Sequence, residues 1–237
     1  MRNYFILDGQ DSRDFGVYIS GSGTFSAPQR AYNMIDVPGR NGALVGSEKR
    51  LLNLELTYPG FIYSNFKSNV ADFRAFLLSL VGYKRLTDSY HPDEYRMVLF
   101  EGGFEPEVTA KNDAGSFDIV FNCKPQRFLL TGEQVTTLTD NGTITNPTEF
   151  NAQPLLRVYG TGILGINSQS VTISSAVTDP YIDIDCEMMD AFYGANNRNQ
   201  YITLTDYNFP ELVPGVNNIA LGTGITKVEI TPRWWSV

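Results

Sequence analysis

Short runs in which apolar and polar residues alternate recur along the chain, and they constrain its fold more than any other feature. The clearest runs are residues 96–100, 117–122, 157–159 and 170–174. A period of two places successive side chains on opposite faces, as in half-buried β-strands. Turn-forming residues separate the runs at 113–115, 140–142 and 196–197, and Asn141–Gly142 predicts a two-residue type I′ hairpin. The pattern predicts a mainly β protein.

One segment has helical periodicity instead. Its apolar residues recur at steps of three and four: Val70, Phe73, Phe76, Leu77, Leu80 and Val81. Ser68 or Asn69 is the expected N-cap, Asp72 lies in the first turn, and Gly82 supplies the stop. We expect one amphipathic helix that packs against a sheet.

The length of 237 residues allows one large β domain or two small ones. A strand that ends at Cys123 would meet Pro125, and a polar, Thr-rich stretch follows. This seam predicts a boundary within 125–135, with one domain at 1–127 and a second at 128–237. Most of the net charge of −8 falls in the second part. An acidic chain of this kind is not expected to bind nucleic acid tightly.

The chain has no apolar stretch near the ~18 residues that span a bilayer, and Asp8 interrupts the start before a signal-peptide core can form. We therefore expect synthesis in a cytoplasm and no membrane contact. Only two cysteines are present, Cys123 and Cys186, without a CxxC motif. They are expected to be buried free thiols and not a disulfide or zinc site.

Residues 160–165 match the G-x-G-x-x-G pattern of dinucleotide-binding loops. The following residues, 166–174, are polar and β-branched, so no helix is expected there to hold a pyrophosphate. The glycines are therefore predicted to make a turn between two strands.

No catalytic, cofactor-binding or metal-binding residue identifies itself. His91 is the only histidine, and the polar residues around it predict an exposed loop. Asp183, Asp185 and Glu187 alternate with apolar residues, which predicts a solvated strand face, although calcium binding is an alternative. We expect no cofactor and no enzymatic activity.

Residues 28–58 form two extended arms around a turn at 38–42. Such a long hairpin presents strand edges that a neighbouring chain can cover. A plain surface hairpin is the alternative on pattern alone.

The order of several segments resembles the distal tail protein (Dit) family of phages with long, non-contractile tails. The segments are DFGV at 14–17, VPGRNG at 37–42, LELTY at 54–58, the helix, residues 115–127, 146–154 and 156–160, FPELVPGVN at 209–217, and TPRWW at 231–235. No single segment is specific, and the resemblance rests on their order and spacing over nearly the whole chain.

The resemblance implies an N-terminal β-sandwich with one helix and a belt hairpin, followed by a galectin-like β-sandwich. It implies a homo-hexameric ring in the virion, at the tail tip. A tail tube protein would lie above the ring, a tail-associated fibre or lysin protein and a receptor-binding protein below or outside it, and DNA would pass through without specific binding. By the same resemblance, the oligomer interface is expected at Pro38, Gly39, Arg40, Asn41, Gly42, Leu44, Leu52 and Leu54.

Two other functions remain open. A carbohydrate-binding protein would use Tyr193, Tyr201, Trp234 and Trp235 as stacking platforms. A cell-wall hydrolase is the second alternative, although no residue identifies itself as catalytic.

Overall fold

The computed structural model describes residues 2–20, 25–109 and 113–237. The chain divides into two compact units, which comprise residues 1–127 with Val237, and residues 128–236. Each unit is described by itself.

The first unit contains ten strands and the one α-helix of the described residues. The strands are β1 Phe5–Leu7, β2 Gln10–Asp11, β3 Tyr18–Ile19, β4 Arg30–Ile35, β5 Leu44–Leu51, β6 Leu54–Ile62, β7 Lys84–Asp88, β8 His91–Leu99, β9 Glu107–Val108 and β10 Gly115–Leu129, of which the last continues past Arg127. The helix, α1, spans Phe66–Ser79, and a short 3-10 helix spans Ser12–Phe15.

The main sheet of this unit has the order β2-β1-β7-β8-β10-β6-β3, and β9 also pairs with β10. Strands β6 and β10 are antiparallel over nine residue pairs, from Gly115↔Ile62 to Cys123↔Leu54. The core contains many aromatic rings. Phe5 lies at ring-centroid distances of 5.8 Å from Tyr58 and 6.1 Å from Phe121. Phe73 brings α1 onto this cluster.

The sequence predicts that this strand ends at Cys123. In the structure, β10 instead runs through Pro125 to Leu129. The pairing with β6 stops at Cys123, so Pro125 lies beyond the end of that ladder. A proline costs a hydrogen bond only where a neighbouring strand would accept one. Pro125 therefore does not end the strand, and the domain boundary between residues 127 and 128 stays a prediction.

Helix α1 begins earlier than its sequence pattern indicates. Its N-cap is Asn65 and not Ser68 or Asn69. The first amides of the helix are bound by a residue distant in sequence, Asp113. Its carboxylate accepts a hydrogen bond from the Asn65 amide at 3.0 Å, and its carbonyl accepts one from the Phe66 amide. Most of the predicted apolar face packs against the core, with Phe73 and Leu77 fully buried. Val81 is the exception, because the helix ends at Ser79 and the Val81 side chain is 85% exposed.

The second unit contains twelve strands. They are β11 Thr136–Leu138, β12 Gly142–Asn146, β13 Leu155–Gly160, β14 Gly162–Ile166, β15 Gln169–Ile173, β16 Ile182–Asp185, β17 Asp190–Tyr193, β18 Asn196–Asn197, β19 Ile202–Leu204, β20 Gly215–Leu221, β21 Ile225–Thr231 and β22 Trp235–Ser236.

Apart from β22, which pairs with β10, these strands form two sheets around one core. One sheet has the order β11-β21-β13-β16-β17-β18, and the other has the order β12-β20-β14-β15-β19. Leu156 and Ile184 from the first sheet and Leu164 and Ile219 from the second belong to the same buried cluster. The prediction of a mainly β protein built of β-sandwich layers with one helix is confirmed.

The predicted hairpin at Asn141–Gly142 is wrong. Strands β11 and β12, which flank it, lie in different sheets, where they pair with β21 and β20. The Asn141 side chain instead accepts a hydrogen bond from the Leu221 amide at 2.8 Å. Residues 196–197 also form a short strand and not only a turn.

The longest helix of the described residues, α1, has 14 residues, and none there has the length and apolar character to cross a bilayer.

Candidate assembly site

Strands β4 and β5 form a two-stranded sheet of their own, which we call the ribbon (residues 30–51). Its register runs from Arg30↔Leu51 to Ile35↔Leu44, with an irregularity near the base. The expected second arm is shorter than predicted, because Leu54 to Tyr58 belong to β6 in the main sheet. At the base, the Leu52 amide donates to the Gln29 carbonyl at 2.7 Å.

The ribbon exposes apolar side chains on both faces. Directly paired residues share a face, so Met34 and Val45 lie together with Tyr32 on one side. Ile35 and Leu44 lie together on the other. All five are exposed, and Met34 is 62% exposed. An isolated two-stranded ribbon is marginally stable in water, so this arrangement favours a covered ribbon.

The tip of the ribbon, residues 36–43, requires glycine for its backbone geometry. Gly39 and Gly42 both have φ of +80°. A Cβ at either position would meet no atom within 4 Å, so the left-handed conformation and not crowding favours glycine. The Arg40 amide closes a turn on the Val37 carbonyl at 3.1 Å.

The structure places most, but not all, of the predicted interface residues on the ribbon. Pro38, Gly39, Arg40, Asn41 and Gly42 are exposed at its tip. Leu44 lies in β5 and Leu52 follows it, both exposed, whereas Leu54 begins β6 and packs against the core of the first unit.

Four further residues of the ribbon were not predicted from the sequence: Tyr32, Met34, Ile35 and Val45. The sequence does contain apolar residues on both arms, but which of them face each other depends on the register between β4 and β5. The interface role of all these residues remains a prediction.

His91 does not lie in an exposed loop, and that prediction is wrong. It is the first residue of β8, and its side chain is only 16% exposed. Its ring Nδ1 lies 3.3 Å from the Asp88 carboxylate, which also accepts a hydrogen bond from the Tyr58 hydroxyl at 2.6 Å. Burial, reinforced by the charge of Asp88, raises the pKa of Tyr58 well above its usual range. This cluster closes the β7–β8 turn inside the fold.

The acidic residues near 183 do not form a solvated face either. Asp183 and Asp185 are buried, and each meets an arginine, Arg157 at 2.7 Å and Arg233 at 2.7 Å. Glu187 lies beyond the end of β16, 3.4 Å from Arg233. Among the described residues, no cluster of three or more potential metal ligands occurs.

The pKa of Asp185 reflects two opposing effects. Burial alone would raise it, but hydrogen bonds from Arg233 and from the amides of Met188 and Glu187 outweigh burial and lower the pKa. The carboxylate is therefore held in its charged form by a fixed partner.

The G-x-G-x-x-G segment is a strand–turn–strand connection, as predicted. It leads from β13 to β14, and Gly160 and Gly162 have φ of +96° and +136°. A Cβ on Gly160 would lie 2.1 Å from the Gly224 carbonyl oxygen, and one on Gly162 would lie 2.4 Å from that of Thr223. Close backbone approach, and not phosphate binding, accounts for these glycines.

The four aromatic residues considered for sugar stacking all make contacts within the chain. Trp234 is buried in the core, and Trp235 stacks on Phe150 at 4.4 Å. Tyr193 packs edge-on against Tyr181 at 4.9 Å, and the Arg198 guanidinium lies 6.0 Å from the Tyr201 ring. The structure does not present them as one platform.

No protein-family model matches the sequence, and no curated protein sequence matches it. Seven chains of solved structures match the fold. One is the SPP1 Dit (gp 19.1) protein, described as a paradigm of the hub adsorption apparatus in phages that infect Gram-positive bacteria. It is 13% identical, the match covers 100% of both chains, and the TM-score is 0.77. The fold is therefore that of a Dit protein over the full length, which confirms the predicted resemblance.

Proposed function

We propose that this chain is a structural hub protein of a phage tail tip, and that it acts by assembling with other proteins and not by catalysis. The full-length fold match to the SPP1 Dit hub protein carries this proposal. The ribbon supports it independently, because a soluble monomer gains nothing from a projection that is apolar on both faces.

The ribbon is the element that joins neighbouring copies. Its five exposed apolar side chains lie on two faces, so neighbouring chains must contact both faces to cover them all. A closed ring satisfies this requirement at every position, because each copy gives one ribbon and receives another. We assign the ring six copies, with the predicted tip residues Pro38 to Gly42 at the contact.

The ring belongs to the virion, between the tail tube protein above and the tail-associated and receptor-binding proteins below or outside. Its channel lets DNA pass without specific binding. The acidic net charge of −8 per chain supports this role, because it opposes adsorption of a polyanion.

Shortening the ribbon tests the proposal. Residues 33–46 are removed, and the paired residues Tyr32 and Ser47 are joined through Asn-Gly, which favours a tight hairpin turn. None of the removed residues belongs to either core, so circular dichroism should stay unchanged. Native mass spectrometry should show six-fold mass for the wild type and a single chain for the variant.

Two further variants make the outcome specific. Met34→Ser with Ile35→Ser keeps the ribbon length and should also give single chains. Leu78→Ser with Val81→Ser removes two apolar side chains near the end of α1 that are at least as exposed as Met34 and Ile35, and it should leave the six-fold mass intact. A six-fold mass for the shortened chain would refute the role of the ribbon, and a monomeric wild type would refute the ring.

A further inference from the structure

Tyr207 lies in an unusual backbone conformation at the surface of the second unit. Its φ is +59°, and the preceding Asp206 has φ of +53°. Two consecutive residues with a Cβ in the left-handed region are strained. The tyrosine side chain is 95% exposed. Strained residues with exposed side chains occur where a protein holds a group ready for a ligand.

A groove of about 360 Å³ lies beside Tyr207. Ile202, Leu204 and Phe209 line it and pack against the core of the unit. Met189 also lines it, is 67% exposed, and has φ of +53°. The groove therefore combines a fixed apolar lining with two exposed side chains that strained backbone presents to solvent.

Strand β19, which contributes Ile202 and Leu204, is the last strand of its sheet. It pairs with β15 on one side and with no other strand of the described residues. An edge strand beside an apolar groove is the arrangement that accepts an extended segment of another protein.

The charge around the groove specifies the chemistry of that segment. The only basic residues at 128–236 are Arg157, Arg198, Lys227 and Arg233. Each is ion-paired with an acid of the same unit.

Asp190 and Asp206 directly adjoin Met189 and Tyr207, and none of the ion pairs in the described part of the chain includes them. The Asp190 carboxylate accepts a hydrogen bond at 2.7 Å from the side-chain amide of Asn199, which lines the groove together with Thr203. The groove therefore has a mainly apolar lining with acidic residues beside it.

We propose that this groove binds an extended segment of a partner protein that carries an apolar side chain flanked by lysine or arginine. The apolar side chain fills the groove between Met189 and Tyr207, and the basic side chains meet Asp190 and Asp206. Tyr207 adds a ring face on which a cation can rest. The inference deepens the proposed hub function by defining one partner surface, but it does not depend on ring formation.

Two nine-residue probe peptides test the proposal on the full chain. Both alternate charged residues with valine around a central phenylalanine, and one carries lysine where the other carries glutamate. In fluorescence anisotropy, the lysine peptide should bind and the glutamate peptide should not. Tyr207→Ser leaves every charge in place, and it should weaken binding of the lysine peptide at least tenfold. Val216→Ser, an exposed apolar residue outside the groove lining, is the matched control and should bind as the wild type does.

A second readout separates docking from a structural role. Tyr207→Gly relieves the left-handed strain, so it should raise the melting temperature by about 2–4 °C while it abolishes peptide binding. A lower melting temperature would assign Tyr207 to folding and overturn the proposal. Equal binding of both peptides, no binding of the lysine peptide, or full binding by Tyr207→Ser would overturn it too. Native mass is unaffected by these variants, so a failure here is distinct from a failure of the ring.

Discussion

At the scale of single residues, backbone contacts decide which side chains the second unit tolerates. Gly160, Gly162 and Gly224 approach carbonyl oxygens so closely that a Cβ on any of them would lie within 2.4 Å of one. Gly194 also has a positive φ, of +59°, but open space surrounds it. Substitutions at Gly160 and Gly194 therefore distinguish the cost of a steric clash from the cost of a left-handed backbone conformation.

We predict that Gly160→Ala destabilises the second unit by about 3 kcal/mol, because strain and a backbone clash add. Gly194→Ala should cost only about 1 kcal/mol, the cost of the left-handed conformation alone. Urea unfolding of both variants measures the difference. Equal losses would show that the strands move apart to admit the methyl group.

The Asp185–Arg233 pair makes stability depend on pH. The folded state lowers the pKa of Asp185, so the unfolded state binds the proton more readily as the pH falls. The stabilisation is complete above the unfolded pKa of about 3.9 and is lost as the pH falls through the lower folded value.

We expect the unfolding free energy of the wild type to fall below about pH 4, with a shallower slope in Asp185→Asn. Chemical denaturation at a series of pH values from about 2.5 to about 7 measures both slopes. Glu149→Gln, at an exposed position, is the control and should keep the wild-type slope. Identical slopes for Asp185→Asn and the wild type would assign the acid sensitivity to other carboxylates.

At the scale of elements, the sequence predicts what depends on local periodicity. The alternating run at 96–100 lies in β8 except for its last residue, the run at 117–122 lies in β10, and the apolar stripe around Phe73 lies in α1. The start of α1 could not be predicted, because the amide of its N-cap, Asn65, is bound by Asp113, which is distant in sequence. The two faces of the ribbon were missed for a related reason, because they depend on the register between arms.

The helix cap gives a direct test of this distinction. Asp113→Ala should destabilise the first unit by about 1 kcal/mol, since it removes the acceptor for the Asn65 amide. Ser68→Ala, at the N-cap position that the sequence favours, should change stability by less than about 0.5 kcal/mol. Urea unfolding followed at 222 nm, the standard α-helix wavelength, compares the two. A larger loss in Ser68→Ala would mean that the helix begins at the later position in solution.

At the scale of the whole molecule, each compact unit has its own core and its own buried thiol. Cys123 belongs to the core of the first unit and Cys186 to that of the second. Burial raises the pKa of Cys123 to about 12, and burial also raises that of Cys186. Both thiols are free, so each reports on the opening of one core.

We predict that neither thiol reacts in the native protein and that both react once it is denatured. In Gly160→Ala, Cys186 should become reactive at a lower urea concentration than in the wild type, whereas Cys123 should not change. Pulsed alkylation with peptide mass mapping distinguishes the two sites. A joint shift of both cysteines would show that the two cores unfold as one cooperative unit.

The apolar side chains on both faces of the ribbon also make an unassembled chain prone to aggregation. In the proposed assembly, Met34, Val45, Ile35 and Leu44 stay exposed to water until a neighbouring copy covers them. Exposed apolar strands associate indiscriminately during such an interval. Glu48, Lys49 and Arg50, in the exposed part of β5, oppose this association by keeping the base of the ribbon charged. The proposed assembly therefore requires that the supply of this chain match that of its partners, because every unassembled copy leaves these apolar side chains uncovered.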